Sequence, residues 1–518
     1  MTGRPLLVAG IVLAALTEAI AGTVLALGRG HVGGAVHATP DEIAWADVGY
    51  TACKIVGYLL APWVIARMAP RTLLVGATLV MGTACAGAAL AAGLDLLVGL
   101  RLVQGLAGGI LLVVGQAAIF LACPRPGQPV LQALFAMGAV VAPAAIVPAL
   151  QGWLIDSGSW TWIFLGVVPV ALAGAGLMLL DDGPIPSAGP ARPFDWIGLV
   201  TMTVAAFCLT YVLSQGSRWD WFAAPHLQAA ALAGGLALLV FAGRQVLAGN
   251  RALLDLAVFG SADFCFAFVV SFVAGAALFG SAYLIPAFAV SVLGFTPTAA
   301  GLLLLPSGAA FAATLLGAAV LMQRAGMKPI ATVPFGILLL MAAMWLLSGS
   351  AGDSGAGDMA APVLLRGVGL GCLFLSITLI AFGRLDGAGL AAGIGLFNAG
   401  RQLGGLMGVA GLQTLIDHQA AANLAVLGAN VAGGDPALAQ RLGGVTALLV
   451  DRGMDAAAAA RAATALLARA VGGQATLIAF DTAFGAVALF FVAAAPAVIA
   501  VRIALARRAA RRAAEPAT

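Results

Sequence analysis

Residues 96–122 read LLVGLRLVQGLAGGILLVVGQAAIFLA, with Arg101 as the one charge in a stretch otherwise apolar, small or amide-bearing. At 1.5 Å per residue a helix of this length measures about 40 Å, enough to cross a hydrocarbon layer about 30 Å thick. A helix apolar all round belongs in lipid or in a fully buried core. The same pattern extends in both directions. Further runs of helical length lie at about 5–27, 43–66, 72–92, 130–154, 160–180, 195–214, 225–247, 264–290, 298–322, 329–348, 360–382, 389–415 and 476–501, which makes fourteen. Of the 518 residues 62% are hydrophobic and 9% charged, against about 25% charged in a soluble domain, so an ordinary soluble enzyme is excluded. The expected class is an all-α polytopic membrane protein. The 68 Gly and 24 Pro lie inside the apolar runs, where small residues let helices approach and prolines bend them.

Six cysteines are scattered singly through apolar segments and four histidines are equally sparse, so neither a disulfide framework nor a metal site is implied, and no cofactor. The first apolar run outlasts a cleavable signal and reads as a retained helix. With both termini inside, fifteen of the 25 Lys and Arg fall in inner segments and six in outer ones. By the positive-inside rule this places both termini in the cytoplasm of a bacterial inner-membrane protein. The basic tail then faces lipid headgroups, and the net charge of +4 is no footprint of nucleic acid.

The chain also repeats itself. Arg101-Leu-Val-Gln104-Gly105 is followed by Leu134-Phe135-Ala-Met-Gly138, and Arg366-Gly-Val-Gly369 by Leu396-Phe397-Asn398-Ala-Gly400. Spans 4 and 5 thus resemble spans 12 and 13, with Arg366 at the repeat position of Arg101. Two six-helix bundles follow, 1–182 and 251–502, separated by a connector and an inserted transmembrane hairpin of spans 7 and 8 at 183–250. A basic cytoplasmic tail occupies 503–518. Parallel six-helix halves around a midplane cavity are a transporter architecture. The one long outer segment, 417–474, has helix starts at Asp435-Pro436 and Asp455 and a stop at Gly472-Gly473, which predicts helices lying on the periplasmic face. Thr39-Pro40-Asp41-Glu42 reads as a capping box opening span 2.

Several motifs resemble a known family. Arg101-Leu-Val-Gln104-Gly105 in span 4, Ser159-Trp160-Thr-Trp162-Ile163-Phe164 opening span 6, Phe194-Asp195-Trp196-Ile197-Gly198 opening span 7, and Arg401-Gln402-Leu-Gly404-Gly405 with Gly408 and Thr414 in span 13 are similar to the fourteen-helix drug:proton antiporters of the major facilitator superfamily, the EmrB/QacA type. The resemblance implies two six-helix bundles plus two inserted helices, and alternating access that expels amphipathic compounds in exchange for protons. There are departures. The family's span-1 acid is shifted by one position to Glu18, about 100° round the helix. The loop after span 2 reads Pro62-Trp63-Val64-Ile65-Ala66-Arg67-Met68-Ala69-Pro70-Arg71, without the family's acid and glycines. The antiporter signature of span 5 survives as Val147-Pro148-Ala-Leu-Gln151-Gly152.

A charge near the bilayer centre costs about 2.5–3.5 kcal/mol on the most lenient scale and needs a partner or a task. Glu18 and Lys54 both fall near mid-depth and can pair, either as a proton-coupling site or as a structural lock between spans 1 and 2. A carboxylate whose surroundings change between occluded and open states changes its proton affinity, so Glu18 can load and release a proton. Arg101 is either a tuner of Glu18 or Asp47 or a side chain snorkelling to the interface. Asp47, on the same helix face as Lys54, is a relay or a wet helix end. Gln104, Tyr50, Pro148, Gly152, Arg366, Asn398 and Arg401 are candidates for the substrate cavity and its gates, although a packing role for Arg401 is equally open.

The function expected is a proton-coupled exporter of drugs or toxic metabolites. A dedicated exporter of one metabolite or siderophore, and a non-transporting sensor or scaffold, are the alternatives. No catalytic constellation of His, Asp, Glu or a nucleophile and base is found, which argues against an enzyme. Partners are a small amphipathic substrate, protons and membrane lipid, and in a host with two membranes a periplasmic adaptor protein and outer-membrane channel.

Overall fold

A computed structural model describes residues 4–514 apart from 158, 187–192, 248, 250–251, 386 and 432–435. The middle of the Pro/Gly-rich connector and Asp435 therefore lie outside the described residues, as do the side chains of the basic tail. Among the described residues there are helices and turns and no β-strand. Among the described residues thirteen helices are long and apolar enough to cross a membrane. The fourteenth, Gly387–Asn430, carries Asn398, Arg401 and Gln402 in its middle. Span 2 opens on the expected capping box, in which Thr39 accepts from the Glu42 N–H and Glu42 caps the Thr39 N–H.

Glycines decide how the halves are built. A Cβ at Gly105 or Gly109 of span 4 (Leu94–Ala122) would strike the Tyr50 or Lys54 carbonyl of span 2 (Pro40–Ile65). A Cβ at Gly367 or Gly371 of span 12 (Ala356–Phe382) would meet the Ser307 or Phe311 carbonyl of span 10 (Pro297–Arg324). Without a hydrophobic force between helices in lipid, such backbone-to-backbone approach is what holds spans together. Gly105, Gly109 and Gly138 stand 262 residues before Gly367, Gly371 and Gly400. This constant offset corrects the repeat register: Arg366 occupies the position of Gln104, not that of Arg101. Ser307 and Phe311 stand where the first half has Tyr50 and Lys54.

Span 5 is not one regular helix. Gln128–Ala136 and Val147–Asp156 flank a π-helical segment, Met137–Ile146, that contains Pro143. Its far end packs on span 10, with Gly152 against the Pro297 carbonyl and Gly301 against that of Pro148. There the Asp156 carboxylate accepts from the Thr298 N–H at 3.0 Å and from its hydroxyl. At the opposite face, where the chain begins, Phe120 of span 4 meets Phe382 of span 12 edge-on at 5.8 Å. The two halves thus touch at both ends of the molecule.

The inserted hairpin, Trp196–Gln215 and Pro225–Leu247, lies against span 2 through two aromatic contacts, Trp63 with Phe194 and Trp45 with Tyr211. Its connecting loop reaches both halves: Arg218 pairs with Asp41 at 2.6 Å, Ser217 bonds Asp417 at 2.6 Å, and the Trp221 indole N–H donates to Thr414 at 2.9 Å. Asp220 and Trp221 hold positive φ of 48° and 52°, a strained conformation for non-glycine residues.

The outer segment differs from the expectation. Gly387–Asn430 is one unbroken helix, Pro436–Asp451 follows, and a single helix then runs from Ala456 to Ala514. Gly472-Gly473 does not end a helix but sits inside that long one. The parts of the segment before Asn430 and after Ala456 are continuations of the helices that carry spans 13 and 14.

Candidate functional site

Glu18 lies in the last turns of span 1 (Pro5–Thr23) and is 2% exposed. It forms an ion pair with Lys54, and its Oε1 accepts from the Tyr50 hydroxyl at 2.7 Å. Gly22 and Gly108 leave the space it fills, since a Cβ at Gly108 would stand 2.8 Å from Glu18 Cγ. The acid thus faces spans 2 and 4. The Lys54 side chain is 12% exposed, with its ammonium 5.8 Å and 5.9 Å from the Tyr50 and Tyr58 ring centres.

Arg101 does not snorkel: it is fully buried. It donates to the Ala21 carbonyl at 2.6 Å and to Gln104 Oε1 at 3.0 Å, and its guanidinium lies 4.1 Å from the Tyr50 ring centre. Asp47 approaches it at 3.6 Å while pairing with Arg29 at 2.5 Å. Arg101 reaches Glu18 only through Tyr50. The resulting line, Arg29 to Asp47 to Arg101 to Tyr50 to Glu18 to Lys54, runs from the far face to the middle of the first half.

In the second half Arg366 is buried and donates to Ser281 at 2.8 Å and Ser307 at 3.0 Å. Arg401 donates to Asn398 Oδ1 at 2.5 Å and lies over Phe374 and Phe397, 5.2 Å and 5.9 Å from the ring centres. Asn398 donates across the halves to Gln116 at 3.3 Å, and Gln116 in turn to Gln132 at 3.3 Å. Pro148 and Gly152 belong to the seam with span 10 rather than to this polar layer. The sequence reading misses Tyr58, Gln116 and Gln132, although Tyr58 stands one helical turn from Lys54 and each Gln is a polar interruption in an apolar run.

Arg71, at the end of the loop after span 2, finds an acid from elsewhere in the chain. Asp181, just beyond span 6, takes hydrogen bonds from Arg4 and, at 3.1 Å, from Arg71. The Arg4 hydrogen bonds, against the opposing effect of burial, and the charges of Arg4 and Arg71 hold its carboxyl below the usual carboxylate range. This cluster ties the starts of spans 1 and 3 to the end of span 6.

Paired six-helix halves, a hairpin between them and charges at mid-depth can be set against known proteins. Residues 7–409 match the Major Facilitator Superfamily. The chain belongs to that superfamily of transporters. The colistin resistance protein EmrB of Acinetobacter baumannii is 26% identical over 357 residues, 68% of either chain. The fatty acid resistance protein FarB of Neisseria gonorrhoeae is 27% identical over 320 residues, 61% of this chain and 62% of that protein. Among solved structures the proton:xylose symporter XylE superposes with a TM-score of 0.54 at 13% identity, covering 78% of this chain and 87% of its own, which shows a shared fold. Multidrug export proteins named EmrB recur among the relatives, one from Escherichia coli being 22% identical over 76% of this chain and 77% of that protein.

Proposed function

We propose that this superfamily member exports amphipathic organic compounds across a bacterial inner membrane in exchange for protons, by alternating access, with both termini in the cytoplasm. The observation that carries the reading is the buried Glu18–Lys54 pair with Tyr50 on the carboxylate. A titratable acid so enclosed is retained against its cost where a proton must be bound and released. Loading Glu18 with a proton releases Lys54, and the field across spans 1, 2 and 4 changes with it. Drug and fatty acid resistance in the relatives' names supports export, and the excess of basic residues on one side supports the orientation. The extension of spans 13 and 14 is where an adaptor protein would bind.

The test is transport by the purified chain in liposomes. A fluorescent amphiphile should be moved against its gradient when a pH difference is imposed, and a protonophore should abolish the movement. Transport indifferent to the protonophore and to the imposed pH difference would overturn proton coupling.

A further inference from the structure

The two halves treat their buried cations differently. In the first half each has an acid, Glu18 for Lys54 and Asp47 for Arg101. In the second half, among the described residues, neither Arg366 nor Arg401 has a carboxylate within ion-pair distance. A guanidinium cannot shed its charge at any working pH, so a buried one without a counter-charge is retained at a cost unless it has a task. Arg366 is closed in by Ser281 and Ser307, whereas Arg401 is only half-buried. Asn398 takes one of its amino groups.

At the 262-residue offset the counterpart of Arg401 is Ala139 and that of Asn398 is Ala136, so the first half carries no cation at this point of the repeat. The position of Arg401 is also not peripheral. The guanidinium lies over Phe374 and Phe397, and Asn398 beside it bonds Gln116 across the seam. A half-buried cation and a bridging amide meet where the halves must part for a substrate to enter.

We infer that Arg401 is the headgroup site for an organic anion, an amphiphile bearing a carboxylate or sulfonate. The inference rests on the exporter reading and names its substrate class. A planar guanidinium takes a carboxylate by two parallel N–H bonds. Lys54, across the seam, adds positive charge whenever Glu18 is protonated. A cationic amphiphile would meet like charge from Arg401 with no free acid beside it.

The experiment uses the full chain in nanodiscs of phosphatidylcholine and three probes on one ring system: 9-anthracenecarboxylate, 9-anthracenemethanol and (9-anthracenylmethyl)trimethylammonium. The carboxylate should bind most tightly and the ammonium probe most weakly. Arg401→Gln should weaken the carboxylate by about 10-fold or more while changing the alcohol less than about twofold, and Arg401→Lys should recover part of the loss. The alcohol reports that the variant is folded, and the ranking of the probes on the unmodified chain stands even where a variant fails to fold. Absent carboxylate binding, ammonium binding as tight as that of the carboxylate, or a carboxylate affinity in Arg401→Gln within about twofold of the unmodified chain overturns the inference. In liposomes, gradient-driven movement of the ammonium probe alone sinks only this substrate class; no gradient-driven movement of any probe, with other amphiphiles also inert, sinks the exporter reading.

Discussion

Replacing Glu18 by Gln keeps the shape of the side chain and an acceptor for the Tyr50 hydroxyl but removes the charge facing Lys54. Because the Lys54 side chain is only 12% exposed, it is left as an uncompensated buried cation. Breaking such a pair from one side costs about 3–5 kcal/mol, a large part of the stability of a typical domain. The double change Glu18→Gln with Lys54→Met removes the orphaned charge as well and should recover most of that loss. Stability is read from the thermal unfolding of purified protein, and coupling from amphiphile movement driven by an imposed pH difference. The expected result is a marked destabilisation in Glu18→Gln, near-normal unfolding in the double variant, and loss of gradient-driven transport in both. Two outcomes refute the reasoning. If Glu18→Gln unfolds like the unmodified chain, the pair is not the buried interaction described. If the double variant transports with full dependence on the pH gradient, Glu18 is a lock between spans 1 and 2, and another acid, with Asp47 the first candidate, must carry the proton.

A methyl at position 105 has no room against the Tyr50 carbonyl, so Gly105→Ala should cost about 1–3 kcal/mol in unfolding measurements, while Gly411→Ala, with nothing within 4 Å, should be silent; equal effects would show that spans 2 and 4 are not held by this approach. Asp181 has a folded-state pKa below its unfolded value of about 3.9, so its stabilisation is complete above that value and lost as pH falls through the lower one. The unmodified chain should therefore lose more stability between pH 5 and pH 3 than Asp181→Asn, and an equal loss would remove the Arg4–Asp181–Arg71 cluster from the account. Alkaline phosphatase fused after Thr518 should be inactive and inserted between Val431 and Pro436 should be active, whereas activity at the C-terminus would invert the orientation.

Apolar run length made the spans readable, and depth along the run made the Glu18–Lys54 pairing readable, because both follow from one-dimensional spacing. What spacing could not convey was contact between distant backbones. The repeat register was aligned on arginines, yet the helices are seated by Gly105, Gly109, Gly367 and Gly371 pressing on carbonyls, and the offset follows the glycines. Arg101 read as a side chain near an interface because its partners, the Ala21 and Ala46 carbonyls, leave no mark in side-chain pattern. Gly472-Gly473 read as a helix stop because each glycine costs a helix about 1 kcal/mol, a loss that the Ala-rich stretch before it and the apolar span after it override.

The π-helical stretch Met137–Ile146 makes residue count, more than residue identity, the sensitive quantity in span 5. A π turn holds an additional residue within a helix that otherwise keeps i→i+4 bonding. Excising one residue there would let the stretch relax into ordinary α-geometry while the helix beyond it keeps its phase, whereas one further residue that the already widened stretch cannot absorb would rotate everything beyond it by about 100°. Pro148 and Gly152 would then swing off Pro297 and Gly301, and Asp156 would leave Thr298, although none of those residues had been touched. Exchanges of one small apolar side chain for another within 137–146 preserve the phase of the helix, and an added residue does not. The span works as a vernier whose setting fixes how one half of the molecule addresses the other.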